Sequence, residues 1–261
     1  MNCYFCLEFH LQPLSELLIR QVGKSNVQWF SYPFLPPTTF SGFMASLVAN
    51  EGTEAWRKNY IEVNDHDTRE VNTLFPGVFS VGAYPDPILV RRNRHYRQHL
   101  GDVYNYEEFA WVGNKKLAVA EAFWTPELRG FLLASTADPL QQLAHHVGLL
   151  FRATRVGKKG VAKVKAAIGP YEVTLQPAQG IIPSTVAPLE MIRYFPSGLE
   201  IFHVPVRKRV GPQLVRDVYT CVFGQPVYGQ IYTNASREVI IPEPLVRLTQ
   251  PGADWKPWET T

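Results

Sequence analysis

Residues 138–166 read DPLQQLAHHVGLLFRATRVGKKGVAKVKA and predict a helix, a basic glycine loop and a strand, in that order. Asp138 and Pro139 suit the N-cap and the first turn of the helix. Its buried stripe would consist of the apolar residues at three- and four-residue spacing, Leu140, Leu143, Ala144, Val147 and Phe151. Residues 161–166 are typical of a strand. The stretch therefore predicts the last helix and the last strand of an α+β unit.

The residues upstream supply the rest of that unit. Apolar side chains alternate over residues 3–11, which predicts a strand. Prolines 36 and 37 should block a helix, and the threonine pair after them could cap one over about residues 39–50. Further strands are expected at about 78–90, 117–124 and 130–134. The resulting order, β-α-β-β-α-β, is the ferredoxin-like arrangement that RNA-recognition domains share.

Two further parts complete the expected organisation of this α+β chain. A β-hairpin thumb near residues 85–115 would interrupt the ferredoxin-like domain, which we place at residues 1–170. A smaller β-rich domain would follow at 171–248, rich in proline and β-forming residues. The tail at 249–261 is expected to be loosely ordered.

Composition excludes several classes of protein. The chain has 261 residues, of which 46% are hydrophobic and 19% charged, and this argues against a largely disordered chain or a coiled coil. It contains no apolar run of about 18–20 residues and no basic leader, so we expect a cytoplasmic protein without a membrane partner. Cys3, Cys6 and Cys221 are too few for a disulfide framework and are expected to be buried thiols. Cys3 and Cys6 would point to opposite faces of a strand, which disfavours a zinc site.

Basic residues are concentrated in three segments without Asp or Glu, at 91–99, 152–165 and 207–216. Together these segments hold fourteen of the 26 Lys and Arg residues. Such clustering is typical of a polyanion-binding surface, although any one segment could simply be a solvated loop. The predicted RNA-binding residues are Arg91, Arg92, Arg94, His95, Arg97, Arg152, Arg155, Gly157, Lys158, Lys159, Gly160, Lys163, Arg207, Lys208 and Arg209.

The glycine loop at residues 157–160 has two interpretations. Its glycines would let backbone amides approach a phosphate, and Lys158 and Lys159 would supply positive charge. A purely structural turn is the alternative. A KH-type loop is disfavoured because that loop joins two helices, whereas this one is expected to join a helix to a strand.

No common catalytic motif accompanies these features. The sequence lacks a Gly-x-Ser-x-Gly elbow and a His-Glu-x-x-His pattern, and we expect no catalytic residue, cofactor or metal. The alternative is metal-independent cleavage of RNA by His95 or His99 with Tyr96, because such a reaction needs only an acid, a base and a cation.

The block Tyr32-Pro33 followed by Pro36-Pro37-Thr38-Thr39-Phe40-Ser41-Gly42 resembles the Cas-five family of CRISPR-associated RAMP proteins. The loop at 157–160 stands where RAMP proteins place a glycine-rich loop, late in the fold. Their thumb would correspond to about residues 85–115, and the resemblance extends more weakly through 180–185 and 223–226 to about residue 248.

This resemblance implies a non-catalytic subunit of a type I Cascade complex that caps the five-prime handle of the crRNA. It implies a Cas-seven type backbone subunit and a Cas-eight type large subunit as partners, and target DNA reached through the complex. One branch of the family processes crRNA with a tyrosine and a Lys-His pair. This sequence has no Lys-His pair, and Arg94-His95 is the nearest approach, which argues against processing. If cleavage occurs elsewhere, the resemblance implies a separate Cas-six type nuclease.

Overall fold

The computed structural model describes residues 3–21, 28–51, 71–105, 110–145, 152–157, 160–210 and 213–250. The strands are β1 (Cys3–Pro13), β2 (Gln28–Trp29), β3 (Phe79–Pro85), β4 (Arg91–Asn105), β5 (Ala110–Trp124), β6 (Leu128–Ala134), β7 (Ala153–Arg155), β8 (Val161–Ile181), β9 (Ala187–Pro188), β10 (Ile201–Val210), β11 (Gln213–Val222), β12 (Val227–Thr233) and β13 (Ile240–Pro242). The helices are α1 (Pro37–Glu51), α2 (Val71–Leu74), α3 (Asp138–His145) and α4 (Glu243–Thr249), with a 3-10 turn at Leu189–Met191.

The central sheet has the strand order β13-β12-β8-β1-β6-β3, and β7 pairs with β8 outside this path. Strands β8, β1, β6 and β3 are the fourth, first, third and second strands of a β-α-β-β-α-β unit, and all neighbours are antiparallel. Helices α1 and α3 are its two connections. This is the ferredoxin-like topology, so the predicted fold class is confirmed.

Helix α1 packs on one face of this sheet. The ring of Phe9 in β1 lies 6.4 Å from that of Phe40, which is fully buried. Gly130 in β6 admits the same ring, since a Cβ there would lie 2.3 Å from it. Because side chains alternate along a strand, Glu8 and His10 project from the opposite face.

The start of α1 corrects one prediction. The helix includes Pro37, and the Phe40 amide donates to the Pro36 carbonyl at 2.9 Å. Proline is tolerated in a first turn because the amides there have no partner within the helix. The expectation that these prolines block the helix until Thr39 is therefore wrong.

The hairpin is longer than the expected thumb. β4 pairs with β5 from Arg91 opposite Trp124 to Asn105 opposite Ala110. Residues 117–124, which were expected to form a strand of their own, are thus the C-terminal half of β5, next to the hairpin base. β2 pairs with β5 in parallel, so the hairpin belongs to a three-stranded sheet of its own.

The glycine loop is also placed differently. β7 intervenes after α3 and pairs with β8, Arg155 opposite Val161. The loop therefore joins two antiparallel strands, and the expectation that it joins a helix to a strand is wrong. The predicted helix residues 146–151 lie outside the described residues.

The residues beyond the ferredoxin-like unit extend the same sheet. β8 runs unbroken through residue 170, where the domain division was predicted, and β12 and β13 follow it in the sheet order. The ring of Tyr232 in β12 lies 5.1 Å from that of Tyr4 in β1. β9, β10 and β11 form a separate three-stranded sheet. Residues 251–261 of the tail lie outside the described part of the chain.

In the described ranges, no helix has both the length and the apolar character needed to cross a bilayer.

Candidate nucleic-acid interface

Arg92 and Arg94 share one face of β4 at the base of the hairpin, where they flank a buried carboxylate. Arg94 is paired with Glu121 across the hairpin, and its Nε lies 3.7 Å from Glu121 Oε2. Arg92 Nη1 lies 3.9 Å from the other carboxylate oxygen. The Arg94 side chain remains 64% exposed, and Arg91 is also exposed. The Arg94 guanidinium is thus oriented by Glu121 but accessible, as an anion-binding surface requires.

A second carboxylate anchors Arg92 to the C-terminal half of the chain. Arg92 donates from both terminal nitrogens to Glu200, with an Nη1–Oε1 distance of 2.9 Å. This hydrogen bonding raises the pKa of Arg92. Glu200 directly precedes β10, so the ion pair connects the hairpin base to the three-stranded sheet of β9, β10 and β11.

The sequence prediction missed these carboxylates. The segment at 91–99 contains no acidic residue, yet the fold places Glu121 and Glu200 against it. Glu121 could have been found by extending the hairpin register to residue 124. Glu200 is 108 residues from Arg92, and no local pattern relates the two.

Residues 14–20 connect the hairpin base with the glycine loop. Leu17 exchanges backbone hydrogen bonds with Phe123 of β5 at 2.8 and 2.9 Å. Asn93 of β4 donates to the Glu16 carboxylate. On the other side, the Leu14 amide donates to the Val161 carbonyl at the start of β8, at 2.9 Å. The first two basic segments therefore flank one short stretch of chain.

The two glycines of the loop have a packing role. Gly157 has φ +59°, and a Cβ there would lie 2.9 Å from the Leu18 carbonyl oxygen. Gly160 has φ +132°, and a Cβ there would lie 2.5 Å from the Leu17 side chain. Glycine is needed at both positions because the backbone is left-handed and the chain at 16–19 is close. The same close packing holds both ends of the loop against residues 16–19.

The structure describes the remaining predicted residues in part. Arg152, directly before β7, and Arg155, at its end, are exposed, and Lys163 lies opposite Ala153 and is half-buried. Lys158 and Lys159 lie outside the described residues. For five other predicted RNA-binding residues the structure describes the backbone, which is in a strand, but not the side chain: His95, Arg97, Arg207, Lys208 and Arg209. The His99 and Tyr96 side chains of the alternative cleavage site also lie outside the description.

A charged network occupies the sheet face opposite α1. Glu8 accepts hydrogen bonds from Arg129 Nε at 2.6 Å and from the Tyr171 hydroxyl at 2.8 Å. His10 Nδ1 lies 2.5 Å from Glu127 Oε1, and His10 Nε2 lies 2.9 Å from Glu8 Oε1 without hydrogen-bond geometry. Sequence analysis assigned no role to this histidine.

Two carboxylates of the network have lowered pKa values. Burial by itself would raise the pKa of Glu8, but the hydrogen bonds from Arg129 and Tyr171 hold it below its usual value. Burial of Glu127 is likewise outweighed by hydrogen bonds from Lys165 and His10, which lower its pKa. Both groups are therefore held as carboxylates at neutral pH.

The network lines a groove of about 950 Å³ on the same sheet face. The lining contains four carboxylates, those of Glu8, Asp86, Glu172 and Glu238, against Arg129 and His10. RNA-recognition domains bind RNA on the open face of such a sheet through exposed aromatic side chains. An acidic groove repels phosphate, so this face is unsuited to that mode of binding.

In the ranges that the structure describes, no cluster of three or more His, Cys, Asp or Glu side chains has metal-site geometry. Cys6 and Cys221 are buried free thiols, and Cys3 is half-buried with its Sγ 3.0 Å from Glu172.

Comparison with known proteins gave only distant structural similarity. No family model matches the sequence. No curated protein matches it either. Two chains from cryo-EM structures of the Type III-B Cmr-beta complex bound to cognate target RNA are similar in fold. The first has 10% identity and a TM-score of 0.37, with 63% of this chain covered. The match spans 60% of the length of that structure's chain.

The second similar chain comes from the complex that also contains AMPPnP. It has 9% identity and a TM-score of 0.42, and the match covers 85% of this chain and 86% of the other. At these scores and identities, neither similarity assigns a function to this chain.

Proposed function

We propose that this protein is a non-catalytic RNA-binding subunit of a CRISPR effector complex, which grips one end of a guide RNA between its hairpin and its glycine loop. The observation that carries the proposal is the position of residues 14–20. They bond to the hairpin base through Leu17 and to β8 through Leu14. Two basic segments that are about 60 residues apart in sequence thereby flank one surface.

Charge determines which surface the RNA would follow. Exposed arginines at 91, 94, 152 and 155 line the hairpin base and the loop, whereas carboxylates line the sheet groove. Phosphates that these arginines neutralise release their counterions, which favours RNA binding along the hairpin base and the loop. The RNA is therefore expected to cross the hairpin base and to avoid the open sheet face.

The finer assignment rests on the Cas-five resemblance of residues 32–42 and 157–160. On that basis the RNA is the five-prime handle of crRNA in a type I Cascade complex. The protein partners are a Cas-seven type backbone subunit and a Cas-eight type large subunit, with target DNA bound by the assembled complex in the cytoplasm.

Nuclease protection tests the proposal. Purified protein is mixed with a mature guide RNA labelled at either end, in EDTA, and then digested with a single-strand-specific nuclease that needs no metal. We expect protection confined to the five-prime end and intact RNA before digestion. Uniform digestion along the RNA would contradict the clamp.

Incubation of the purified protein with repeat RNA in EDTA, without added nuclease, tests the alternative. Specific cleavage of repeat RNA in EDTA that disappears in His95→Ala or His99→Ala would instead establish a metal-independent ribonuclease.

A further inference from the structure

Two adjacent aromatic side chains project from the loop that precedes β10. Tyr194 is 76% exposed and Phe195 is 53% exposed. Large aromatic side chains usually contribute to a core or an interface, because each buries a large apolar area. An adjacent pair on the surface therefore indicates a binding role.

The loop holds this pair in a defined position. Before the pair, Ile192 is 7% exposed and Arg193 stacks on the Tyr228 ring, with its guanidinium carbon 4.5 Å from the ring centroid. After it, the Leu199 amide donates to the Pro196 carbonyl at 3.2 Å and closes a turn that contains Gly198 at φ +81°. The rings are thus presented by a loop that is anchored on both sides, which lowers the entropy lost on binding.

The loop is continuous with the hairpin base. Glu200, at its end, forms the ion pair with Arg92 of β4. Pro196, Gly198 and Arg92 also line one cavity of about 240 Å³. The loop that carries the aromatic pair therefore reaches the hairpin base at its C-terminal end.

We propose that Tyr194 and Phe195 form a stacking platform for unpaired bases of the RNA held at the hairpin base. The inference rests on the proposed function and adds the class of contact: base stacking without sequence readout. The nearby charges favour RNA over an apolar protein surface, because Arg193 is exposed beside the rings and Arg94, on the same face of β4 as Arg92, is 64% exposed. RNA would supply phosphates that pair with these cations and bases that stack on the rings.

The test compares loop variants in binding to a single-stranded guide RNA and to the same RNA annealed to its complement. Tyr194→Ala with Phe195→Ala should weaken single-strand binding about tenfold or more, since one stacked base contributes about 1–3 kcal/mol. Duplex binding should change less than twofold. The salt dependence should be unchanged, because the substitutions remove no charge.

Two further variants separate stacking from general apolar contact. Tyr194→Phe retains the ring and should bind like the native protein, whereas Phe195→Leu retains apolar area and should lose affinity. Ile182→Ala is the matched control, since Ile182 is 50% exposed elsewhere on the surface.

The possible failures are distinguishable. Native affinity in the double alanine variant, or full affinity in Phe195→Leu, would overturn the platform and leave the proposed function intact; the loop would then be a protein-docking surface. Absence of RNA binding by the unchanged protein would overturn both.

Discussion

At the scale of single residues, the glycine loop shows how packing and conformation together fix a residue type. A Cβ at Gly160 would lie 2.9 Å from the Glu16 backbone oxygen as well as 2.5 Å from the Leu17 side chain. The backbone oxygen cannot move without disturbing the connection between loop and hairpin. A substitution there therefore meets a clash in addition to the unfavourable φ of +132°.

We expect Gly160→Ala to lower the free energy of unfolding by about 3 kcal/mol, measured by urea denaturation. Gly77→Ala is the matched control, because Gly77 has φ +86° but no atom within 4 Å of its added Cβ. That variant should lose only about 1 kcal/mol, from strain alone. Equal losses in the two variants would show that the contact with residues 16–17 is unimportant.

Glu8 is the residue whose ionisation should most affect stability. Its carboxylate accepts hydrogen bonds from Arg129 and Tyr171, and its pKa lies below the usual value of 4.5. A lowered pKa in the folded state stabilises the protein above that usual value. The contribution is lost as the pH falls through the lower pKa of the folded state.

Glu8→Gln should therefore reduce the free energy of unfolding by about 2 kcal/mol at pH 7, because Arg129 and Tyr171 lose a charged acceptor. The difference from the native protein should shrink as the pH falls below about 4.5. Denaturation at a series of pH values measures both. Glu238→Gln, at an exposed carboxylate, is the control and should change the free energy of unfolding little. A loss of stability in Glu8→Gln that does not depend on pH would contradict the role of the Glu8 charge.

At the scale of elements, local patterns predicted the ferredoxin-like unit well. The alternation of Phe5, Leu7 and Phe9 in β1 and the buried Leu140 and Leu143 in α3 follow directly from the periodicities of strand and helix. The predicted start of α1 was wrong because proline is compatible both with a break between elements and with the first turn of a helix. The length of the hairpin was underestimated because β5 mixes apolar and polar residues, and only its pairing with β4 shows that it continues to Trp124.

The candidate site depends on contacts that no local pattern contains. The segment at 91–99 has no acidic residue and was predicted to contribute to a polyanion-binding surface, yet Glu121 and Glu200 lie against Arg92. The pairing of Arg92 with Glu200 also makes the hairpin base a junction between two sheets. Its arginines therefore differ in availability, and Arg94 is the more accessible of the two paired ones.

Glu200→Gln should raise affinity for single-stranded RNA about two- to fivefold, because Arg92 is released from a competing carboxylate and local negative charge is removed. The free energy of unfolding should fall by less than about 1 kcal/mol, since both side chains of the pair are partly exposed. Filter binding and urea denaturation measure the two effects. Glu243→Gln, which disrupts the partly exposed pair with Arg247, is the control. An equal gain in that variant would show that the effect is not local.

At the scale of the whole molecule, charge is divided between two surfaces. The sequence carries a formal net charge of only +3, which conceals the separation of the basic hairpin base from the acidic sheet groove. The path of the RNA follows from this division. The loop that carries the exposed Tyr194 and Phe195 reaches the basic hairpin base through its end at Pro196 and Glu200.

The salt dependence of RNA binding tests this account most directly. The slope of log K against log salt is measured for the native protein, for Arg91→Gln with Arg94→Gln, and for Arg247→Gln. Arg247 is a matched control for Arg94, because it is 63% exposed and its Nε also lies 3.7 Å from a carboxylate. The account predicts that the double variant loses about 1.4 from the slope, about 0.7 for each phosphate contact, while the control keeps the native slope. Identical slopes in all three proteins would contradict it.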